Sequence, residues 1–228
     1  MTNIVVVYHS GFGHTLRMAQ AVADGAGAEL LAIDPDGHLP AGGWDLLKEA
    51  DAIIFGSPTH MGGASWQFKK FADDSSSPWI VQAWKDKLAA GFTSSSGLNG
   101  DSQLTLHYFF TLAMQHSMVW VSQGLLPANK KSATRSDVNN LASFAGAVSQ
   151  TPSDASAGQM QRGVTPLQHL AIDAECAPHQ MDVGLACRVQ GQRGGLGTVE
   201  QAGIHFGVGV HRHRAGASHA AVVTRHQA

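Results

Sequence analysis

Cysteine is nearly absent from this 228-residue chain. The two that occur, Cys176 and Cys187, make no disulfide framework. Charge is sparse: Asp, Glu, Lys and Arg make up 14% of the residues and leave a formal charge of -2. With no basic excess to neutralise phosphates or anionic lipid, neither nucleic acid nor a membrane surface is an expected partner. Long hydrophobic runs are missing too. No uncharged apolar stretch approaches about 18 residues, so no membrane-spanning helix is expected. The N-terminus has no basic lead, and its apolar run from Ile4 to Tyr8 is too short for a signal-peptide core. The cytoplasm is the expected location.

What the chain has instead is Ile4-Val5-Val6-Val7-Tyr8-His9-Ser10-Gly11-Phe12-Gly13-His14-Thr15, a β-branched run that leads directly into small and hydroxyl-bearing residues. A continuous apolar run is the mark of a strand buried on both faces of a parallel sheet. An amphipathic pattern starts at once behind it, from His14 to about Gly27. A turn of this kind presents backbone N–H groups and the positive end of a helix dipole together, which favours a phosphate. Ser10 and Thr15 are the candidate hydroxyl donors; simple N-capping by the same residues is compatible with that geometry.

Strand and helix patterns then alternate. Strands are predicted at about 3–9, 29–33, 51–56, 87–92 and 117–121, with helices at about 14–27, 44–50, up to 74, and 101–115. Short links of this kind imply right-handed crossovers between parallel strands, hence a three-layer, doubly wound, five-stranded α/β sheet. The first, third and fourth strands each run into a small-residue loop: Ser10–Gly13, Ser57–Gly63 and Thr93–Gly100. In such sheets ligands lie beyond the strand C-termini, where all three loops would meet.

From about Gln150 the composition changes. Residues 1–160 hold seven lysines and two arginines, whereas residues 161–228 hold six arginines and no lysine, with seven of the thirteen histidines and both cysteines. The first 160 residues are expected to form the domain, and 161–228 an atypical, largely irregular segment. Its Arg/Gly/Ala/His bias suggests a shifted reading frame or a fused piece. Only Thr165-Pro166-Leu167-Gln168 carries a helix-start signature. His211, His213, His219 and His226 have no carboxylate or cysteine beside them, so no metal site is expected.

The motifs resemble those of a known family, the flavodoxin-like NAD(P)H:quinone oxidoreductases of the Trp-repressor-binding-protein type, close to the NADPH-dependent FMN reductases. The matching stretches are Tyr8–Thr15, Ile54–Gly62, Phe92–Gly97 and Leu112–Met118, in that order, over about residues 1–160. The resemblance implies a flavodoxin-like sheet of order 2-1-3-4-5. It also implies FMN as cofactor, NADPH or NADH as electron donor and a quinone-type acceptor. Carried over residue by residue, Ser10, Gly11, Phe12, Gly13, His14 and Thr15 would hold the phosphate. Pro58, Thr59, His60, Met61 and Gly62 would line the flavin ring, and Thr93, Ser94, Ser95, Ser96, Gly97 and Gly100 would close over it. His116 would reach the flavin edge. Trp79 would form a wall against the flavin of a neighbouring subunit, which implies a homodimer or homotetramer.

Flavin chemistry needs no protein nucleophile. His60 and His116 are the candidate catalytic groups, as proton donors or as charge against the flavin edge; a histidine that merely satisfies a loop carbonyl is the plainer alternative. Met61 would pack on the ring or simply fill a gap. Trp66, Phe68 and Phe71 are expected in the core. Gly11 and Gly13 could open a dinucleotide fingerprint with Asp34 as ribose partner, but Leu16 occupies the third glycine position. No Lys-Ser or Lys-Thr follows the turn, which excludes a P-loop. Asp73 and Asp74, adjacent on a helix, point apart. Two other functions stay open: an electron carrier without turnover, and an FMN-binding scaffold.

Overall fold

Ile4 to Tyr8 are all buried, because this segment has parallel neighbours on both edges and helices over both faces. The structure is a computed structural model that describes residues 2–157. The predicted Thr165 helix, the irregular tail, both cysteines and the C-terminal histidines lie outside the described residues.

In chain order the elements are β1 (Ile4–Tyr8), α1 (His14–Ala26), β2 (Glu29–Ala32), α2 (Gly43–Glu49), β3 (Ala52–His60), β4 (Gly63–Ala64), α3 (Trp66–Asp74), α4 (Ser76–Ile80), β5 (Leu88–Ser95), α5 (Ser102–Gln115), β6 (Val119–Trp120) and β7 (Ala147–Gln150). The main path through the sheet is β2-β1-β3-β5-β6, every neighbour parallel. This is the expected 2-1-3-4-5 order once only the parallel strands of that path are counted. Register fixes the alignment: Ile4 sits beside Ala52 and Tyr8 beside Gly56, while Ala52 sits beside Leu88 and Pro58 beside Ser94.

Two apolar layers sandwich the sheet. Val6, Tyr8, Ile54 and Phe92 pack against Met18 and Val22 of α1. Val5, Val7 and Phe55 face the other way, onto Leu47, Phe68, Phe71, Trp84, Leu106 and Phe109. Each such fully buried side chain contributes about 1.5–3 kcal/mol relative to exposure. The hydroxyl of Ser65 starts α3 by accepting from the Phe68 N–H, and Gly27, in the left-handed conformation, ends α1.

Four local expectations are corrected. Ser57–His60, read as loop, continues β3, which then folds back on itself through Met61–Gly62 to pair antiparallel with β4. Both turn residues have positive φ, 48° and 80°, as a two-residue hairpin turn of type I′ requires. Trp66, expected in the core, is 60% exposed because it opens α3 on its outer side. The third helix ends at Asp74 as expected, but the break read into Ser75–Trp79 is confined to Ser75, because Ser76–Ile80 forms the separate short helix α4.

The fourth correction concerns the last strand. Its predicted span, 117–121, shrinks to Val119–Trp120 beside Leu88–Ala89, and β7 takes over beside Phe92–Ser95. The outer strand is therefore made of two pieces, with residues 121–146 looping out between them. Gly146 makes the re-entry possible: a Cβ there would lie 2.3 Å from the carbonyl oxygen of Gly91 and 2.8 Å from Leu106 Cδ2.

Backbone, unlike a side-chain tip, cannot swing aside. Gly146→Ala is therefore expected to destabilise the fold by about 1–3 kcal/mol, as overpacking does, seen as a lower urea midpoint; an unchanged midpoint would show that β7 docks differently.

Candidate functional site

Parallel register brings the ends of β1, β3 and β5 to one edge of the sheet, and a cavity of about 500 Å³ opens there. That volume lies within the usual range for a small-molecule site. The first loop contributes Gly11, Phe12, His14 and Thr15, the second Pro58, Thr59 and His60, and the third Ser94, Ser95 and Ser96. The three loops singled out in the sequence thus meet around one space.

The first loop is built to receive an anion. Gly13, with φ 87°, turns the chain into α1, whose first turn carries no acidic residue. Ser10 Oγ accepts from the Leu16 N–H at 3.0 Å, and the Gly13 carbonyl accepts from Arg17 N–H at 3.1 Å. Ser10 therefore acts as a capping residue behind the cavity rather than as part of its wall. The N–H groups of His14 and Thr15 have no acceptor within the helix and stand at its positive end.

Beneath the cavity, hydroxyl groups lash the loops together. Thr15 Oγ1 and Ser94 Oγ are 3.1 Å apart, joining the first loop to the third. Thr59 Oγ1 meets Thr93 Oγ1 and Thr105 Oγ1, each at 2.8 Å, and Thr93 donates to the Ser57 carbonyl at 2.7 Å. Ser57 and Ser65 hydroxyls are 3.1 Å apart, and His9 Nδ1 shares a 2.9 Å hydrogen bond with Ser65. Burial, and then the charge of nearby His60, hold the His9 pKa below the ordinary histidine value.

A fourth segment closes the cavity, and sequence reasoning missed it: Thr151, Ser153, Ala155 and Ser156. It follows β7, whose four residues are too few to show a strand period. The one available signal was Gln150-Thr151-Pro152-Ser153, another small polar run of the kind that follows the other strands. Thr151 is 3% exposed, and its hydroxyl has no hydrogen-bond partner.

Other expected residues support the site without lining it. Gly13 sets the turn, and Thr93 is fully buried in the threonine cluster. The Gly97 carbonyl accepts from Ser95 Oγ at 2.8 Å, and Gly100, at φ 54°, packs on Ser95, where a Cβ would collide with its hydroxyl. Gly62 and the fully exposed Met61 form the hairpin tip.

His116 is a correction. It caps α5, which begins at the cavity edge and runs back about 21 Å at 1.5 Å per residue to the opposite edge of the sheet. There it is 2% exposed and lies against Trp84, ring centroids 4.1 Å apart. Ser75 spends its single proton on the Ala72 carbonyl at 2.7 Å, so His116 Nε2–H donates to Ser75 Oγ at 2.9 Å. Burial pushes the His116 pKa down to about 4. Trp79 lies on the same edge, 46% exposed, its indole N–H donating to the Gln115 carbonyl at 3.0 Å.

The donor set along the cavity is one of hydroxyls and amides, with no carboxylate among the described lining residues. Among the described residues no group of three metal-ligating side chains occurs. A phosphate with an attached planar ring fits these walls: donors and a helix N-terminus at one end, Pro58, Thr59 and His60 at the other, and an unspent buried hydroxyl at Thr151.

Several known proteins are similar to this chain. Residues 44–132 match the NADPH-dependent FMN reductase family. The chain is 53% identical over 163 residues to flavodoxin FldP of Pseudomonas aeruginosa, covering 72% of this chain and 89% of that protein. It is 34% identical over 143 residues to an NAD(P)H dehydrogenase (quinone) of Geobacter sulfurreducens, covering 52% of this chain and 70% of the other. The crystal structure of a flavodoxin, WrbA-like protein from Agrobacterium tumefaciens aligns with a TM-score of 0.64 at 46% identity, covering 78% of this chain and 99% of that one.

The buried histidines predict a pH dependence of stability. His116 is neutral in the folded chain down to about pH 4, whereas the unfolded chain takes up its proton near 6.5. Stability is then fully present above about pH 6.5 and falls as pH drops toward 4, by on the order of 2–3 kcal/mol from this group, with His9 adding in the same direction. Urea unfolding of wild type and His116→Gln between pH 7 and 4 checks this: the variant should lose the larger part of the slope, and identical slopes would show that the burial is not retained in solution.

Proposed function

This chain belongs to the flavodoxin-like NAD(P)H:quinone oxidoreductases of the Trp-repressor-binding-protein type, and from that membership we propose that it binds FMN in the three-loop cavity and reduces quinones at the expense of NADPH or NADH. The observation that carries the reading is the meeting of Gly11–Thr15, Pro58–His60 and Ser94–Ser96 around a space of about 500 Å³ at the C-terminal edge of the sheet.

Bound FMN would supply the redox chemistry, as acceptor of a hydride from the nicotinamide and donor of two electrons to the quinone. The protein's own residues bind and orient. His14 and Thr15 N–H groups hold the phosphate at the start of α1, where charge-assisted bonds contribute about 1.5–3 kcal/mol each. Pro58 and Thr59 form the wall for the ring, and Ser94 to Ser96 fix the opposite side. Thr59 is held by the threonines beneath it, so the wall does not need to be organised on binding. His60 is exposed at the cavity and is the group placed to give a proton to the quinol oxygen. His116, at the far edge, has no such role within its own subunit.

Trp79, Ile80 and Val81 are consecutive exposed apolar residues. We assign them to contact with further copies of this chain, where Trp79 would stand against a neighbour's flavin. The cytoplasm, with its NAD(P)H supply, is the proposed setting.

The 53% identity to a protein named flavodoxin favours a second reading, an electron carrier without turnover. Such carriers are usually strongly acidic so as to dock on basic partners. Residues 1–160 carry a net charge of only -4, which favours the enzyme.

Protein reconstituted with FMN should oxidise NADPH with benzoquinone at a rate above free FMN; bound FMN without turnover would establish the carrier instead. His60→Gln should lower turnover with quinone roughly 10- to 100-fold with FMN affinity unchanged. An unaltered rate would remove His60 from the proton path.

A further inference from the structure

Resting on the reading that the cavity holds FMN, we infer that residues 151–157 form a fourth cofactor loop, in which the Thr151 hydroxyl donates to the flavin's phosphate. Three of the four walls follow β1, β3 and β5; the fourth follows β7, the re-entrant half of the outer strand. Its position is fixed by its backbone. The Thr151 N–H donates to the Ser95 carbonyl at 2.9 Å, and Gln150 Nε2 donates to the Ser96 carbonyl at 2.8 Å.

The same segment is stitched to the phosphate end. His14 Nε2–H donates to the Ala155 carbonyl and Arg17 Nη1 to the Ala157 carbonyl, both at 2.9 Å. Gly13 approaches so closely that a Cβ there would lie 3.2 Å from Ala157 Cβ. Every one of these bonds is made by a residue at the beginning of α1. The end of the segment, Ala155–Ala157, therefore borders the helix N-terminus, where an anion is favoured.

Thr151 is the residue in this segment with chemistry to spare. Its backbone N–H is engaged and the residue is 3% exposed and lines the cavity, yet Oγ1 has no partner. Buried hydroxyls are almost always satisfied. Its neighbours in the site contrast with it: Thr15, Thr59, Thr93, Ser94 and Ser95 all have partners within the protein. A hydroxyl without an acceptor, in a cavity that is also lined by a helix N-terminus that attracts anions, is matched by a phosphoryl oxygen.

The test is the affinity of the full chain for FMN and for riboflavin, read by quenching of flavin fluorescence, in wild type, Thr151→Val and Thr151→Ser. Valine keeps the shape and removes the donor; serine keeps the donor. Thr151→Val should weaken FMN roughly 10- to 100-fold and leave riboflavin nearly unchanged, while Thr151→Ser stays close to wild type. The ³¹P resonance of bound FMN should also move in Thr151→Val. If the valine chain unfolds early, Thr151→Ala takes its place under the same criteria. Unchanged FMN affinity would overturn the inference, and so would an equal loss for riboflavin, which would put the hydroxyl on the ribityl or ring. Wild-type protein that binds no FMN would instead sink the functional reading on which this one rests.

Discussion

The buried hydroxyl lattice under the cavity is what the site depends on. Parallel pairing brings three strand ends to one level, but strand ends alone are separate loops with unpaired polar groups. Thr15–Ser94, Thr59–Thr93–Thr105 and His9–Ser65–Ser57 convert them into one cross-linked floor. Each bond is modest by itself, about 1 kcal/mol net. Their joint effect is to hold the first, second and third loops in fixed relation, so that a ligand meets a formed wall and not three mobile ones. The lattice also explains why small hydroxyl residues recur around the C-terminal ends of β1, β3 and β5. Larger side chains would fill the cavity, and apolar ones would leave neighbouring hydroxyls unsatisfied.

The polar floor is tolerable because the apolar layers around it are complete. Phe55, Phe68 and Phe109 interlock on one face, with Phe68 and Phe109 centroids 4.7 Å apart. Phe92 covers the other face and occupies the space where a Cβ on Gly56 would lie, 2.2 Å from its ring. Gly56 thus belongs to packing, although it stands at the entry to a functional loop. Among the described residues His9 and His116 are the two buried histidines, and burial lowers the pKa of both. Only His9 belongs to the polar floor. His116 is part of the aromatic layer at the opposite edge, against Trp84.

Much of this was legible from local pattern. The β1 run, the amphipathic α1 and the three small-residue loops followed from burial period and turn chemistry, because each spans enough residues to show a period. What failed to show did so for physical reasons. Ala147–Gln150 is too short to alternate visibly and follows a long loop, so β7 and the wall behind it were missed. Ser57–His60 looks like loop because its residues are small and include proline, yet parallel pairing with Thr93 and Ser94 extends the strand through it. Trp66 looks like core by type, but its position at the first turn of α3 faces it outward. His116 sits in a stretch that matches the family, which says nothing about the edge of the sheet to which α5 delivers it.

The chain's order of hydrophobic runs and glycine-rich exits by itself determined a doubly wound parallel sheet with a ligand edge, since period and turn residues act over a few neighbours. Only the tertiary structure decided which side chains line the cavity, which merely prop it, and that a fourth segment far along the chain closes it. Those outcomes rest on contacts such as Thr15 with Ser94 and His14 with Ala155. Sequence separation hides them, and only the register of the folded sheet brings them together.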